Sequence, residues 1–335
     1  MDLAWYALLG LFFASYLVLA GYDYGVGLLL ARGGAPAGRR AALTALGPFF
    51  LGNEVWLVAA VGILFGAFPV LEGELLAGCY PAVAGALVGV VLVTAGVQLR
   101  SRPGDVRVRA RWDRVIVVGS ALAALGWGVV LAALLQGVPR QADGHVAGVS
   151  HLATPFAATA GLTMVALVAV HGATFLTLRL PADAADAAGR TARRLVPVAL
   201  CAVVVATVVG VLSPRVRDAV GRPAVAVLLP VLLVVALLAA RAALARRRPG
   251  WALIATGAAM GLPVALVGAA LWPYVLVSTT DPGASLTVAD AAASTPTLRL
   301  LGWVALPLLP ALLGFQAMCW WVFRGRTDGR APVYW

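Results

Sequence analysis

The stretch that decides how this chain folds is GPFFLGNEVWLVAAVGILFGAFP, Gly47–Pro69. A helix needs about 20 predominantly apolar residues to cross a bilayer, and this run is long enough. It nevertheless carries Asn53 and Glu54 side by side, about two turns in from Pro48. A carboxylate inside hydrocarbon costs about 2.5–3.5 kcal/mol on insertion scales, so such a group faces protein or water instead of lipid. Two readings follow: a helix–helix hydrogen bond that locks packing, or a proton or ion site.

Composition extends the membrane reading to the whole chain. Of 335 residues, 62% are hydrophobic and 12% charged, which excludes a water-soluble fold and indicates one polytopic, all-α transmembrane domain over 1–335. All 25 basic residues are arginine, and the formal charge is +11. A nucleic-acid binder would gather that charge on one domain; here it lies in short connections between apolar runs, so no nucleic-acid partner is expected. Cys79, Cys201 and Cys319 are scattered, without a C-x-x-C, and read as three buried small hydrophobes. Asp2 and the lack of a basic n-region argue for a retained first helix over a cleaved signal peptide.

Nine spans are expected, at approximately 3–30, 47–68, 77–99, 115–136, 155–178, 195–213, 223–240, 251–277 and 298–323. Pairs of glycines four apart (Gly21 and Gly25, Gly62 and Gly66, Gly85 and Gly89, Gly257 and Gly261) predict close helix approach. Pro197, Pro230, Pro263 and Pro307 predict kinks. The connections after the first, third, fifth and seventh spans, with the C-terminal segment Arg324, Arg326 and Arg330, hold 20 of the 25 arginines. By the positive-inside rule the N-terminus is outside and the C-terminus cytoplasmic. In the last exterior loop, Asp281-Pro282-Gly283 predicts a turn, and 286–293 a short surface helix.

Three ionisable residues fall inside the spans: Asp23 late in the first, Glu54 early in the second and His171 late in the fifth. Each is six to eight residues from a cytoplasmic end, roughly 9–12 Å below that surface, so they form a candidate proton-entry layer together with Asn53. The competing reading is that each only bonds a neighbouring helix. Haem ligation needs His, Met or Cys at an axial position. His171 is the one histidine in a span, His145 and His151 lying in an exterior loop, so no self-sufficient redox centre or metal site is expected. No phosphate loop or H-E-x-x-H motif is present. Trp56, Tyr22 and Tyr24 read either as packing aromatics or as the border of a cofactor or quinone.

These residues also carry a resemblance. GYDYGVG at 21–27, with Gly21, Gly25 and Gly27, resembles the first-helix signature of subunit II of cytochrome bd-type quinol oxidases, a family that includes the cyanide-insensitive oxidases. GNEVWL at 52–57, with Gly52 and Trp56, is similar to its second-helix signature and continues into GILFGAFP. LLQGVP (134–139), TPFAATAGL (154–162), HGATFL (171–176), WPYVLVS (272–278), ASLTVADA (284–291) and TLRLLGWVA (297–305) follow in order. The resemblance implies a multi-pass plasma-membrane heterodimer. Subunit I would carry the quinol site, two b-type haems and one d-type haem, and would reduce O2 to water with cytoplasmic protons. This chain would be a scaffold that ligates no haem and offers proton access, and the resemblance leaves open a structural quinone and small accessory membrane subunits. One departure stands out: the family's W-D-G-N-[EQ]-V-W has an Asp where this chain has Leu51, three residues before Glu54. A second function class, a proton-coupled secondary transporter, would show paired broken helices in two repeats, and neither GYDYGVG nor GNEVW recurs.

Overall fold

A computed structural model describes residues 1–32, 36–102 and 104–327; Arg330 of the basic C-terminal segment lies outside them. Among the described residues, nine helices are long and apolar enough to cross a membrane. They are α1 (Asp2–Leu29), α2 (Pro36–Ala67), α4 (Tyr80–Leu99), α5 (Val106–Gln136), α6 (Pro155–Arg179), α7 (Ala182–Leu212), α9 (Pro223–Ala245), α10 (Pro249–Ala270) and α12 (Thr295–Val322). Shorter helices α3 (Pro69–Gly78), α8 (Pro214–Ala219) and α11 (Val288–Ala291) lie between them.

The expected spans match in number and order, but their ends move for physical reasons. Helices α2, α5 and α7 begin 9 to 13 residues before the expected apolar runs, because hydrophobicity marks the lipid-facing length and not where backbone hydrogen bonding starts. Pro48 therefore lies inside α2, joining the expected internal prolines Pro197, Pro230, Pro263 and Pro307. The span expected to reach 277 stops at Ala270, before Trp272-Pro273, where the proline lacks an N–H and disfavours helix at the residue before it. Its continuation is strand β1 (Tyr274–Leu276), paired antiparallel with β2 (Leu286–Thr287). The surface helix expected over 286–293 is thus split into β2 and α11, and Leu286, Val288 and Ala291 are buried. Cys79 and Cys319 are buried as expected; Cys201 is exposed on α7, so it is not a core residue of this chain.

Helix α1 is the hub, packing against α2, α5, α6 and α10. Its tightest crossing is with α6: a Cβ on Gly25 would sit 1.9 Å from the Val168 carbonyl oxygen, and one on Gly172 would sit 2.3 Å from the Gly25 carbonyl carbon. Gly89 meets α5 in the same way, 2.4 Å from Ala123 N. Gly62 and Gly85 face open space, so spacing alone did not identify contacts. At one end of the bundle Asp113 of α5 binds Arg100, which caps α4, and Arg39 of α2 at 3.5 Å. At the other end the 137–154 and 271–294 loops are tied together: Arg140 donates to Ala284 O, and Ser278 Oγ donates to Arg140 O at 2.6 Å. Glu74 of α3 accepts from Val146 N at 2.9 Å and holds this cap to the bundle.

Candidate functional site

The embedded polar residues gather around α1. Asn53 of α2 is fully buried, and its amide nitrogen lies 2.8 Å from Asp23 Oδ2, 2.8 Å from Tyr22 Oη and 3.2 Å from Leu19 O. Its amide oxygen lies 3.1 Å from Tyr22 Oη and 3.5 Å from Gln316 Nε2 of α12. Trp56, one turn on from Gly52, donates its indole N–H to Gln316 Oε1 at 3.3 Å. One oxygen of the buried Asp23 carboxyl is therefore anchored, while Oδ1 has no hydrogen-bond partner among the described residues.

Asn53 and Glu54 are consecutive, so a helix turns their side chains about 100° apart. Asn53 points to α1; Glu54, half-buried, accepts a hydrogen bond from Thr94 of α4. Glu54 remains within electrostatic reach of Asp23 and of Tyr16 and Tyr24. Those two phenols share a 2.5 Å hydrogen bond, and Trp127 of α5 donates to Tyr16 Oη at 3.0 Å. Leu51 is exposed on the outer surface of α2, in one stripe with Val55 and Val58.

His171 sits on the α6 side of the hub. Its Nε2 lies 2.8 Å from the Val18 carbonyl, which can only accept, so Nε2 carries the proton. Its Nδ1 lies 2.7 Å from Thr256 Oγ1 of α10. Asn53 and His171 thus bond the consecutive α1 carbonyls of Leu19 and Val18 and pin α2 and α6 at one level. Tyr22 lies between them, 5.8 Å from the His171 ring centre and stacked on Phe175 at 4.3 Å.

The candidate layer therefore exists as a neighbourhood but not as a direct cluster. Asp23 meets Asn53; Glu54 and His171 face α4 and α10 and do not touch it. Tyr22, Tyr24 and Trp56 are packed and hydrogen-bonded within the bundle. The signature glycines are contact points: a Cβ on Gly21 would meet Met260 at 2.9 Å, on Gly27 Ser120 at 2.0 Å, and on Gly52 Phe315 at 3.2 Å. Sequence reasoning missed Thr94, Thr256 and Gln316. Gln316 did carry a signal, being the one amide within the apolar run of α12. No group of three or more His, Cys, Asp or Glu side chains that could hold a metal ion occurs among the described residues.

Comparison with known proteins fits this geometry. The family model for cytochrome bd terminal oxidase subunit II matches residues 1–323. Cytochrome bd-I ubiquinol oxidase subunit 2 of Escherichia coli (strain K12) is 33% identical over 181 residues, which is 52% of this chain and 48% of that protein. Cytochrome bd ubiquinol oxidase subunit 2 of Bacillus subtilis (strain 168) is 31% identical over 203 residues, 59% of this chain and 60% of that protein. The matched region thus spans about half to three fifths of the length of these relatives. The structure of the bd oxidase from Geobacillus thermodenitrificans contains a chain of the same fold, with a TM-score of 0.75 and 20% identity over 96% of this chain and 98% of that one. Nine apolar spans among the described residues and bacterial relatives make this a multi-pass protein of the bacterial plasma membrane. With its family signatures brought together around α1 and the family match running almost end to end, the chain belongs to the cytochrome bd terminal oxidase subunit II family.

Proposed function

We propose that this chain is the second subunit of a membrane quinol:O2 oxidoreductase, the translocase class of respiratory enzyme that contributes to the proton-motive force. The observation that carries this reading is the family match over 1–323, joined to relatives named as ubiquinol oxidase subunits. The same match favours the oxidase over a proton-coupled carrier. Subunit I would carry the quinol site and hold two b-type haems and one d-type haem, and oxygen would be reduced there.

The part left to this chain is structural support and proton access. Both ring nitrogens of His171 are already hydrogen-bonded, which leaves neither free for iron and supports a subunit that ligates no haem. Asp23 Oδ1 is the atom at which a proton would be gained or released, with Asn53 fixing Oδ2 and Tyr22 in turn bonded to the Asn53 amide. Glu54 adds a second acid at the edge of the exposed α2 stripe. The arginine distribution supports an N-out, C-in orientation, which puts the Asp113 ion cluster in the cytoplasm.

Purification tests the whole reading. The tagged chain should bring down a haem-bearing membrane partner, and the separately expressed chain should give a flat oxidised-minus-reduced spectrum. A stoichiometric b-type signal from the chain alone would assign ligation to it, with His171 the first residue to replace. Solute transport by a purified chain lacking any haem partner would establish the carrier instead.

A further inference from the structure

We propose that the apolar cavity between α5, α6, α7, α9 and α10 holds a resident anionic phospholipid, with one acyl chain inside and its phosphate against Arg217 and Arg215 of α8. The cavity has a volume of about 500 Å³, within the range of small-molecule sites. Its lining is aliphatic and aromatic apart from Thr163, Thr207 and Arg217. Both threonine hydroxyls are committed to backbone carbonyls, Thr163 to Thr159 and Ala202, Thr207 to Val203. The wall therefore offers an occupant a long apolar surface and a single charged group, a cation. A molecule with an apolar tail and an anionic end matches it.

The cation is not alone. Helix α8 buries Val216 and Ala219 against the bundle and leaves Arg215 and Arg217 exposed, and neither guanidinium has a hydrogen bond or ion pair among the described residues. Asp218 is the one acidic residue among three arginines on this short segment, and the third, Arg222, is engaged over the Trp272 ring at 5.8 Å. Arginine forks suit phosphate, and each arginine near a lipid headgroup contributes about fivefold in affinity for anionic lipid. A second observation lies beside Arg215. His151 is buried, 4% exposed, with neither ring nitrogen hydrogen-bonded. It lies within electrostatic reach of Arg215. A buried polar group without a protein partner calls for one of another kind. A phosphate oxygen held by Arg215 would accept from the imidazole N–H.

The test uses the full chain isolated in detergent with its native partners, delipidated and then offered dioleoyl-phosphatidylglycerol, dioleoyl-phosphatidylcholine or a quinone. Native mass spectrometry reads what is retained. Phosphatidylglycerol should be retained at least tenfold over phosphatidylcholine. The preference should fall about fivefold in Arg215→Gln or Arg217→Gln singly and vanish in the double variant. Ala206→Phe, which adds a ring to the cavity wall, should abolish retention. Equal retention of the two lipids, preferential retention of the quinone, or a preference unchanged in the single variants would overturn the assignment of the head. Undiminished retention in Ala206→Phe would overturn the assignment of the tail.

Discussion

Asn53 and Asp23 face each other across the α1–α2 seam, the amide nitrogen of one 2.8 Å from the carboxyl Oδ2 of the other. Because Asn53 also serves Tyr22 and the Leu19 carbonyl, one amide stitches α2 to three positions of the hub helix. Removing it should strand Tyr22 Oη and Asp23 Oδ2, at about 1–3 kcal/mol for each group left unpaired. Asn53→Leu is therefore expected to lower the thermal stability of the purified chain sharply. Asp23→Leu added to it should recover part of the loss, because the stranded acid is gone. A single variant as stable as the parent would show that the network holds nothing together.

The Gly25–Gly172 crossing makes a contrasting pair of predictions. Gly25→Ala drives a methyl group to 1.9 Å from a backbone oxygen that has no rotamer to escape into. It should cost upwards of about 1–3 kcal/mol and reduce assembled protein in the membrane. Gly62→Ala meets nothing within 4 Å and should be neutral within about 0.5 kcal/mol. Equal yields from the two variants would rule out this crossing as drawn.

Orientation is open to a direct check. Reporter fusions after Arg102 and after Gly148 should read cytoplasm and exterior, following the excess of arginine on one side. The reverse pattern would invert the topology and move the Asp113 ion cluster outside.

His151 gives a pH prediction. Burial, and secondarily Arg215, lowers its pKa below the usual 6.5. The unfolded chain then binds a proton that the folded chain refuses, so stability is fully present above about pH 6.5 and declines as pH falls toward the folded value. Melting temperatures at pH 5 and 7.5 should differ, and His151→Gln should flatten that difference. A slope of the same size in the variant would assign the effect to other groups.

The span count, the signatures and the membrane-embedded ionisable residues were legible in the sequence, because lipid punishes charge and the pattern is coarse. Contact partners were not. Asn53 and Glu54 look equivalent as letters, yet one helical step sends the first to Asp23 and the second to Thr94. Gly25 and Gly62 share the same four-residue spacing, but only the first meets another backbone, since packing depends on which helix lies opposite. The tenth-helix boundary failed for a different reason. Trp272–Ser278 is apolar enough for a span, and only Pro273 marks it as the start of the strand-and-turn cap.

The last prediction concerns a carboxylate that has moved. The resemblance read from the sequence implies an acid where this chain has Leu51, and here that position is exposed on the outer stripe of α2. Glu54 is three residues on, so the two side chains project within about 60° of each other, and glutamate reaches farther than aspartate. It is half-buried at the border of that stripe, bonded to Thr94 and within electrostatic reach of Asp23. An acid so placed lies between the outer stripe of α2 and the buried acid on α1, without touching the latter. If it relays protons, Glu54→Gln should slow quinol-driven oxygen consumption about tenfold while haem content and assembly stay intact. Leu51→Asp in that background should restore part of the rate. Turnover is measured in membranes and normalised to the d-type haem band. Normal turnover in Glu54→Gln would make the residue a packing acid and end the relocation idea. Loss of haem together with activity would make it a structural tie between α2 and α4, and Thr94→Val should then reproduce the defect.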